Sequence, residues 1–266
     1  MPQSSPYSPP STGPRTAVAA DTAPVLDFHG VGLTYADGTT ALTGIDLAVR
    51  PGEFVSVVGP SGCGKSSLLR IASGLSTATS GVADVTAERI GYVFQEATLL
   101  PWLNVLENVD LFPRLAGRTK AERRERAREA LATVGLTEFE RHLPHQLSGG
   151  MRMRASLARS LTLSPDLFLF DEPFGALDEL TRDRLGEELL HLFADRLFAG
   201  VFVTHSVSEA IHLSTRVVVL SGRPGQVVDV VDVPFGTERG PDVRYSPQFA
   251  ALAQRIGTAL RKGYEA

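Results

Sequence analysis

A glycine-rich segment of eight residues constrains the fold of this chain more than any other feature. Its residues, in order, are Gly59, Pro60, Ser61, Gly62, Cys63, Gly64, Lys65 and Ser66. The segment matches the pattern G-x-x-x-x-G-K-[ST], with the apolar stretch EFVSVV before it and the helical stretch SSLLRIAS after it. In that order of strand, loop and helix, glycines allow a tight turn whose backbone N–H groups point at a phosphate. The segment therefore predicts an α/β domain that binds a nucleotide.

The side chains of this phosphate loop have distinct expected roles. Lys65 is expected to reach the β- and γ-phosphates, and the Ser66 hydroxyl is expected to ligate Mg²⁺. Ser67, at the start of the helix, is grouped with the phosphate-binding residues. Cys63 could be considered a nucleophile, but no activating base is identifiable beside it, and a small side chain suits a tight loop. We therefore interpret Cys63 as part of the phosphate cradle.

Apolar stretches alternate with helical stretches along the 266 residues, which predicts a sheet covered by helices on both faces. The stretches EFVSVV and LFLF are continuously apolar, as is typical of strands at the centre of such a sheet. Between these two stretches the character changes to helix and loop, and this predicts a helical lobe inserted at about 96–155. Residues 25–262 are expected to form the domain, and the Pro-, Ser- and Thr-rich residues 1–24 a disordered tail.

Charge and hydropathy exclude several classes of protein. The net charge of −4 argues against a general nucleic-acid binder, and the single cysteine excludes an internal disulfide framework. No apolar run is long enough to cross a bilayer, so any membrane role is expected to be peripheral. Thr119 and Glu122 are expected to form a reciprocal cap at the start of a helix. The arginines of this helix alternate with glutamates, which favours a solvated, salt-bridged face over a nucleic-acid patch.

An acidic pair and a histidine, each at the end of an apolar stretch, are candidate catalytic groups. LFLF leads into Asp171 and Glu172, and VFVT leads into His205. Asp171 is expected to hold Mg²⁺, Glu172 to act as general base on a water molecule, and His205 to donate a hydrogen bond to the γ-phosphate. A capped strand end and a structural histidine are the alternatives. The phosphate loop in the same chain favours the catalytic interpretation.

A second glycine motif resembles the signature motif of ABC ATPases. It consists of Leu147, Ser148, Gly149, Gly150, Met151 and Arg152. Ser148 is expected to cap the helix that follows, and the two glycines leave backbone N–H groups open toward an anion. The resemblance implies that this helix points at the γ-phosphate held by the opposite subunit. It thus implies a head-to-tail dimer of two copies of the chain that encloses two ATP molecules.

The resemblance to ABC ATPases extends over about residues 25–260 and implies further roles. It implies that Tyr35 stacks on adenine, although an exposed strand aromatic is the alternative. It implies that Gln95 senses Mg²⁺ and the attacking water, and that Asp178 lies in a loop crossing the dimer interface. His205 corresponds to the switch histidine of the family. The implied fold is a mixed central sheet with flanking helices, an antiparallel β subdomain and the inserted helical lobe.

Two longer stretches resemble the nitrate, sulfonate and taurine importer subfamily. They are FQEATLLPWLNVLENV, which contains Gln95, and LSGRPGQVVDVVDVPF near the end. The resemblance implies an ATP-hydrolysing subunit lying peripherally on the cytoplasmic face of the cell membrane. Its implied partners are transmembrane permease subunits and, indirectly, an extracytoplasmic solute-binding protein, with no nucleic acid. Trp102 is expected on the surface that receives the permease, with packing inside the lobe as its alternative.

Four other functions remain as alternatives at this point. The chain could serve another importer class, or it could be a soluble ABC ATPase that acts without a permease. A small-molecule kinase would share the phosphate loop but would not explain LSGG. A degenerate cassette would bind ATP only as a structural switch, and the presence of Glu172 and His205 argues against it.

Overall fold

Two β-sheets and the helices around them make up the computed structural model, which describes residues 22–265 except 176, 197 and 237–238. The predicted tail lies almost entirely outside the described residues. The described strands are β1 (Leu26–Thr34), β2 (Thr40–Val49), β3 (Phe54–Val58), β4 (Ser80–Val85), β5 (Ile90–Val93), β6 (Leu167–Asp171), β7 (Ala199–Thr204), β8 (Arg216–Leu220) and β9 (Val227–Asp232).

Helices separate most of these strands. They are α1 (Lys65–Ala72), α2 (Val105–Val109), α3 (Leu111–Leu115), α4 (Lys120–Thr133), α5 (Gly149–Leu161), α6 (Glu179–Arg196), α7 (Val207–Leu213) and α8 (Pro247–Glu265). Short 3-10 turns lie at Thr137–Phe139, Pro144–Gln146 and Pro241–Tyr245. No helix in the described ranges combines the length and the apolarity that a bilayer crossing requires.

The larger sheet has the strand order β5-β6-β7-β3-β8-β9. Its first five strands are parallel, and β9 alone runs antiparallel, to β8. Every residue of β3 and β7 is buried, as the continuous apolar stretches predict. Since the strands are parallel, the loops after β3, β6, β7 and β8 all leave from one edge of the sheet.

The smaller sheet is antiparallel, in the order β2-β1-β4. Its inner residues, among them Phe28 and Ile45, share one apolar core with Val55 of β3 and Leu68 of α1. The two sheets therefore enclose α1 and the phosphate loop before it. The predicted α/β class, with a mixed sheet and an antiparallel subdomain, is confirmed.

Helices α2 to α5 all lie between β5 and β6, in the region where the sequence changes character. Thr119 and Glu122 form the predicted reciprocal cap of α4. Ala127 and Leu131 on its inner face are buried, and Gly135 ends it with a φ of 65°. The apolar core of these helices is continuous with a cluster of phenylalanines under β6 and β7, so the lobe packs directly against the sheet.

A half-buried arginine holds the end of α7, and no carboxylate of the described residues lies within ion-pair distance of it. Arg239 donates hydrogen bonds to the carbonyl oxygens of Ile211, His212, Ser214 and Phe235 at 2.8–3.0 Å. Burial lowers the pKa of Arg239 to about 10. The adjacent His212 ring is buried, and neither of its nitrogens has a hydrogen-bond partner among the described residues. Burial, followed by the charges of Arg244 and Arg239, lowers the pKa of His212 from 6.5 to about 4.

The buried His212 predicts a loss of stability in mild acid. Between pH 6.5 and about 4 the unfolded chain binds a proton that the folded chain does not. The free energy of unfolding attributable to this group therefore falls as the pH decreases, by about 3 kcal/mol over the whole window. Urea unfolding of wild type and His212→Leu, at about pH 7 and about pH 4.5, measures this difference.

The exposed His191 on α6 provides the control for this comparison. His191→Leu is expected to keep the wild-type pH dependence, whereas His212→Leu is expected to flatten it. Equal pH dependence in wild type and His212→Leu would show that His212 does not destabilise the fold in acid.

Candidate active site

The phosphate loop joins β3 to α1 at the edge where the parallel strands end. Gly64 precedes the helix with a φ of 106°, and no side chain in the described part of the chain caps the first turn of α1. A Cβ on Gly64 would lie 2.7 Å from the carbonyl oxygen of Ala41, so glycine is required by both conformation and space. The first-turn N–H groups of α1 thus have no competing side-chain acceptor. This arrangement is suited to binding an anion.

Lys65 places its ammonium group inside this loop. The side chain is only 5% exposed, and its Nζ donates to the carbonyl oxygens of Gly59 at 2.9 Å and Pro60 at 3.0 Å. Its Nζ also lies 3.7 Å from Oε1 of Glu172. The loop therefore holds a buried cation between backbone carbonyls and a carboxylate, where phosphate oxygens could replace the carbonyls as partners.

Ser66 and Asp171 meet at the ends of α1 and β6. The Ser66 hydroxyl donates to Oδ1 of Asp171 at 2.9 Å, and the Tyr92 hydroxyl donates to Oδ2 at 3.4 Å. Burial raises the pKa of Asp171, and these two hydrogen bonds act in the opposite direction. A hydroxyl and a carboxylate side by side are the hard oxygen donors that Mg²⁺ prefers. The residues present therefore fit the predicted metal site.

Glu172 turns from β6 toward the phosphate loop through an unusual backbone conformation. Its φ is 45°, in the left-handed region, and its N–H donates to the carbonyl oxygen of Val203 at 3.0 Å. Such a conformation costs a non-glycine residue about 1–3 kcal/mol and is typical of functional sites. The turn brings Oε2 to 3.1 Å from Nδ1 of His205. The structure thus brings Lys65, Glu172 and His205 together, although they lie on three different elements.

Tyr35 and Ser67 also meet at this edge. The Tyr35 hydroxyl and the Ser67 hydroxyl share a hydrogen bond of 2.7 Å. Tyr35 is 40% exposed, so part of its ring remains open to solvent beside the start of α1. The position suits an aromatic residue that contacts a nucleotide bound on the phosphate loop.

Other predicted residues lie outside this cluster. Ser148 caps α5 by accepting from the N–H of Met151 at 3.2 Å, as predicted. Asp178 caps α6 in a similar way, since it accepts from the N–H of Thr181 at 3.0 Å. Across the described chain, no hydrogen bond or ion pair connects Ser148, Gly149, Gly150 or Asp178 to the phosphate loop. Gln95 is exposed and makes no hydrogen bond to a described residue.

A turn that sequence reasoning did not assign to the site supports the phosphate loop from outside. Arg223, between β8 and β9, donates from Nε to the carbonyl oxygen of Gly62 at 3.0 Å. Gly225 of the same turn lies so close that a Cβ on it would be 2.2 Å from the carbonyl oxygen of Cys63. The turn falls within the stretch LSGRPG. That stretch resembles an importer subfamily, but its sequence carries no signal for contact with a loop 161 residues away.

A second network missed from the sequence connects the loop after β7 with the loop before α6. The Thr204 hydroxyl donates to Oε2 of Glu209, whose Oε1 lies 3.3 Å from Nε of Arg182. Arg182 then donates to the carbonyl oxygen of Leu177 at 3.0 Å. Burial raises the pKa of Glu209. Ser206 caps α7, but the Glu209 carboxylate does not return to Ser206 because it is bound to Thr204.

The sequence of this chain matches that of a known protein family. The ABC transporter family matches residues 42–175, a span that contains the phosphate loop, the signature motif and the acidic pair. This chain belongs to the ABC transporter family.

Similar proteins extend the match over most of this ABC transporter chain. Taurine import ATP-binding protein TauB of Yersinia pestis is 42% identical over 87% of this chain and 95% of its own length. An ABC transporter ATP-binding protein of Methanocaldococcus jannaschii is 44% identical over 89% of this chain and 88% of its own.

Solved structures agree with this assignment. The dimeric structure of MJ0796, a bacterial ABC transporter cassette, matches this chain with a TM-score of 0.71 and 33% sequence identity. The match covers 79% of this chain and 99% of the MJ0796 chain. A post-hydrolysis state of the same cassette, bound to ADP and Pi, gives a TM-score of 0.70. The predictions of an ABC-type ATPase fold, of ATP as its nucleotide and of ATPase activity are thereby confirmed.

The close approach of Gly225 to the phosphate loop predicts a specific defect in nucleotide binding. Because a Cβ in Gly225→Ala would overlap the Cys63 carbonyl, the loop must shift, and we expect ATP affinity to fall about tenfold or more. Titration with a fluorescent ATP analogue measures the affinity. Gly222→Ala is the matched control in the same turn, since its Cβ would make an ordinary 3.5 Å contact. Equal affinities in the two variants would contradict a supporting role for this turn.

Proposed function

We propose that this chain is the ATP-hydrolysing subunit of an ABC importer for a small sulfonate-like or oxyanion solute. The observation that supports hydrolysis is the convergence of Lys65, Glu172 and His205. Nζ of Lys65 lies 3.7 Å from Oε1 of Glu172, and Nδ1 of His205 lies 3.1 Å from Oε2 of Glu172. A chain that only bound ATP would not require a carboxylate held in a left-handed conformation beside the phosphate loop.

The proposed reaction is in-line attack by water on the γ-phosphorus of ATP. Glu172 accepts the proton of the attacking water as general base, and ADP leaves as the oxygen–phosphorus bond to the γ-phosphoryl group breaks. Lys65 stabilises the negative charge on the β- and γ-phosphate oxygens. Ser66, Asp171 and Gln95 would hold Mg²⁺, which would neutralise phosphate charge there.

His205 is proposed to orient Glu172 and to contact the γ-phosphate. Its Nδ1 is the atom that lies beside the carboxylate, which leaves Nε2 free to face the nucleotide. The side chain is half exposed, as suits a residue at the open edge of the sheet. A hydrogen bond from Nε2 to the phosphate would fix the γ-phosphoryl group with respect to Glu172.

Each site is proposed to be completed by a second copy of the chain. Ser148, Gly149 and Gly150 form the N-terminus of α5, but they do not contact the phosphate loop of their own chain. A Cβ on Gly150 would lie 2.7 Å from Cγ2 of Thr181, so this helix start packs closely against Thr181, which is hydrogen-bonded to Asp178. The dimeric form of the MJ0796 cassette supports a dimer of this chain. Our proposal is that the two copies lie head to tail, so that both segments reach the partner's ATP.

Partners and location are proposed from the relatives. TauB is named as the ATP-binding protein of taurine import, and we extend this function to the present chain because the two share 42% identity. The partners are then transmembrane permease subunits on the membrane and, indirectly, an extracytoplasmic solute-binding protein. Residues 25–262 form the cassette, with 96–155 as its inserted lobe, and it lies peripherally on the cytoplasmic face of the cell membrane.

Replacement of the general base tests hydrolysis. Glu172→Gln keeps the shape of the side chain but cannot accept the proton, so we expect the rate of phosphate release to fall about 10²–10⁴-fold with ATP binding retained. Glu138→Gln, an exposed glutamate of the helical lobe, is the control and should hydrolyse ATP at the wild-type rate. Equal rates in Glu172→Gln and wild type would remove Glu172 from the mechanism.

Stimulation of the assembled transporter tests the solute class. The chain is purified together with its membrane partner and solute-binding protein and placed in lipid vesicles. We expect taurine or a related sulfonate to raise the rate of phosphate release, and a sugar to leave it unchanged. Stimulation by the sugar alone would indicate another importer class. Failure to recover any membrane partner would favour an ATPase that acts without a permease.

A further inference from the structure

Helix α5, which begins at the signature motif, carries a buried arginine on its third turn. Arg159 is only 5% exposed. It donates from Nη1 to the carbonyl oxygen of Thr98 at 3.0 Å, and from Nη2 to the Thr98 hydroxyl at 2.9 Å and the Ala97 carbonyl oxygen at 3.4 Å. Within the described residues, no carboxylate lies within ion-pair distance of this guanidinium.

The absence of a carboxylate partner makes these hydrogen bonds difficult to break. Burial lowers the pKa of Arg159, and the ring of Phe112 lies 5.5 Å from its guanidinium carbon. If the loop moved away from the helix, a buried cation would lose its hydrogen-bond acceptors, which is far more costly than losing an exposed contact. Arg159 and the carbonyls of Ala97 and Thr98 should therefore stay together whenever either segment moves.

The acceptors lie immediately beyond Gln95. Ala97 and Thr98 follow it by two and three residues, and Thr98 is held in a left-handed conformation with a φ of 44°. On the other side of Gln95, the Ser160 hydroxyl donates to the carbonyl oxygen of Tyr92 at 3.1 Å. Two consecutive residues of α5 thus hold the chain on both sides of Gln95.

The same unit extends to the loop that carries Trp102. Asn108 is fully buried, accepts from the N–H of Leu100 at 2.7 Å, and donates to the carbonyl oxygens of Leu100 at 3.1 Å and Leu103 at 2.9 Å. Asn108 belongs to α2, which packs against α5. Trp102 itself is 72% exposed, so it reports on this loop from the surface.

We propose that Arg159 is a positioning residue that makes the segment 94–98 and the signature helix α5 move as one unit. When Gln95 shifts in response to nucleotide at its own site, Ser148 shifts with it at the far end of the helix. The state of one ATP site is thereby communicated to the other across the dimer. This inference rests on the proposed function, because it requires α5 to act on the partner's nucleotide.

The test compares Arg159→Met and Arg159→Lys with Arg154→Met. Arg154 lies five residues earlier on the same helix, but it donates to the carbonyl oxygen of Val134, away from the Gln95 segment. Trp102 is the one tryptophan in the sequence, so its emission reports the loop directly. Three quantities are measured for the full chain: kcat, the Kd of a fluorescent ATP analogue, and the change in Trp102 emission when ATP and Mg²⁺ are added.

We expect Arg159→Met to lower kcat about tenfold or more while the Kd changes by no more than about twofold. The ATP-induced change in Trp102 emission should disappear in this variant. Arg159→Lys keeps the charge and one donor nitrogen, so it should recover part of the kcat and part of the Trp102 response. Arg154→Met should resemble wild type in both. If thermal unfolding shows that Arg159→Met is not folded, the comparison of Arg159→Lys with wild type provides the test.

Three results would overturn the proposal. The first is a kcat of Arg159→Met equal to that of the wild type. The second is an ATP-induced change in Trp102 emission that is the same in Arg159→Met and in the wild type. The third is a wild-type Trp102 emission that does not change when ATP is added. Failure of the proposed function is recognised separately. If the wild-type chain binds the analogue but releases no phosphate, hydrolysis is refuted, whereas the Trp102 response still tests the role of Arg159.

Discussion

The parallel pairing of β3 with β7 and β8 is the constraint on which the site depends. Val55 pairs with Val201 on one side and with Arg216 on the other, and this register fixes where each strand ends. Because β6 pairs with β7 in the same direction, the phosphate loop, Glu172, His205 and the β8–β9 turn all emerge at one edge. A shift in this register would separate Lys65 from Glu172 and would also disturb the packing of the buried side chains on both faces, so core packing and catalytic geometry select the same arrangement.

The charged side chains at this edge of the sheet are stabilised by protein groups rather than by solvent. Lys65 is buried between loop carbonyls and Glu172, and Asp171 is partly desolvated beside Ser66 and Tyr92. Desolvation strengthens each electrostatic contact, but it also penalises any group left without a partner. The site is therefore prepared for two incoming charges of opposite sign, the phosphates beside Lys65 and the metal ion beside Asp171.

Local sequence signals predicted the parts of the fold that depend on local chemistry. The apolar stretches of β3, β6 and β7, the cap at Thr119 and the cap at Ser148 all follow from short-range patterns, and the structure contains them. The largely exposed β4 had no such signal, because it is specified by its pairing with β1. The left-handed conformation of Glu172 also had no local signal, because the hydrogen bond to Val203 that holds it comes from a different strand.

Several arginines position the loops of the site through contacts that the sequence did not reveal. Each donates to a backbone carbonyl oxygen of one functional loop: Arg223 to Gly62, Arg159 to Thr98, Arg182 to Leu177 and Arg152 to Leu147. A backbone carbonyl is present at every residue, so no residue type or spacing identifies the acceptor. A guanidinium nevertheless suits this task, because it offers five donors in a rigid plane and always stays charged. The loops can then be rigidly held while their own side chains remain free to bind nucleotide.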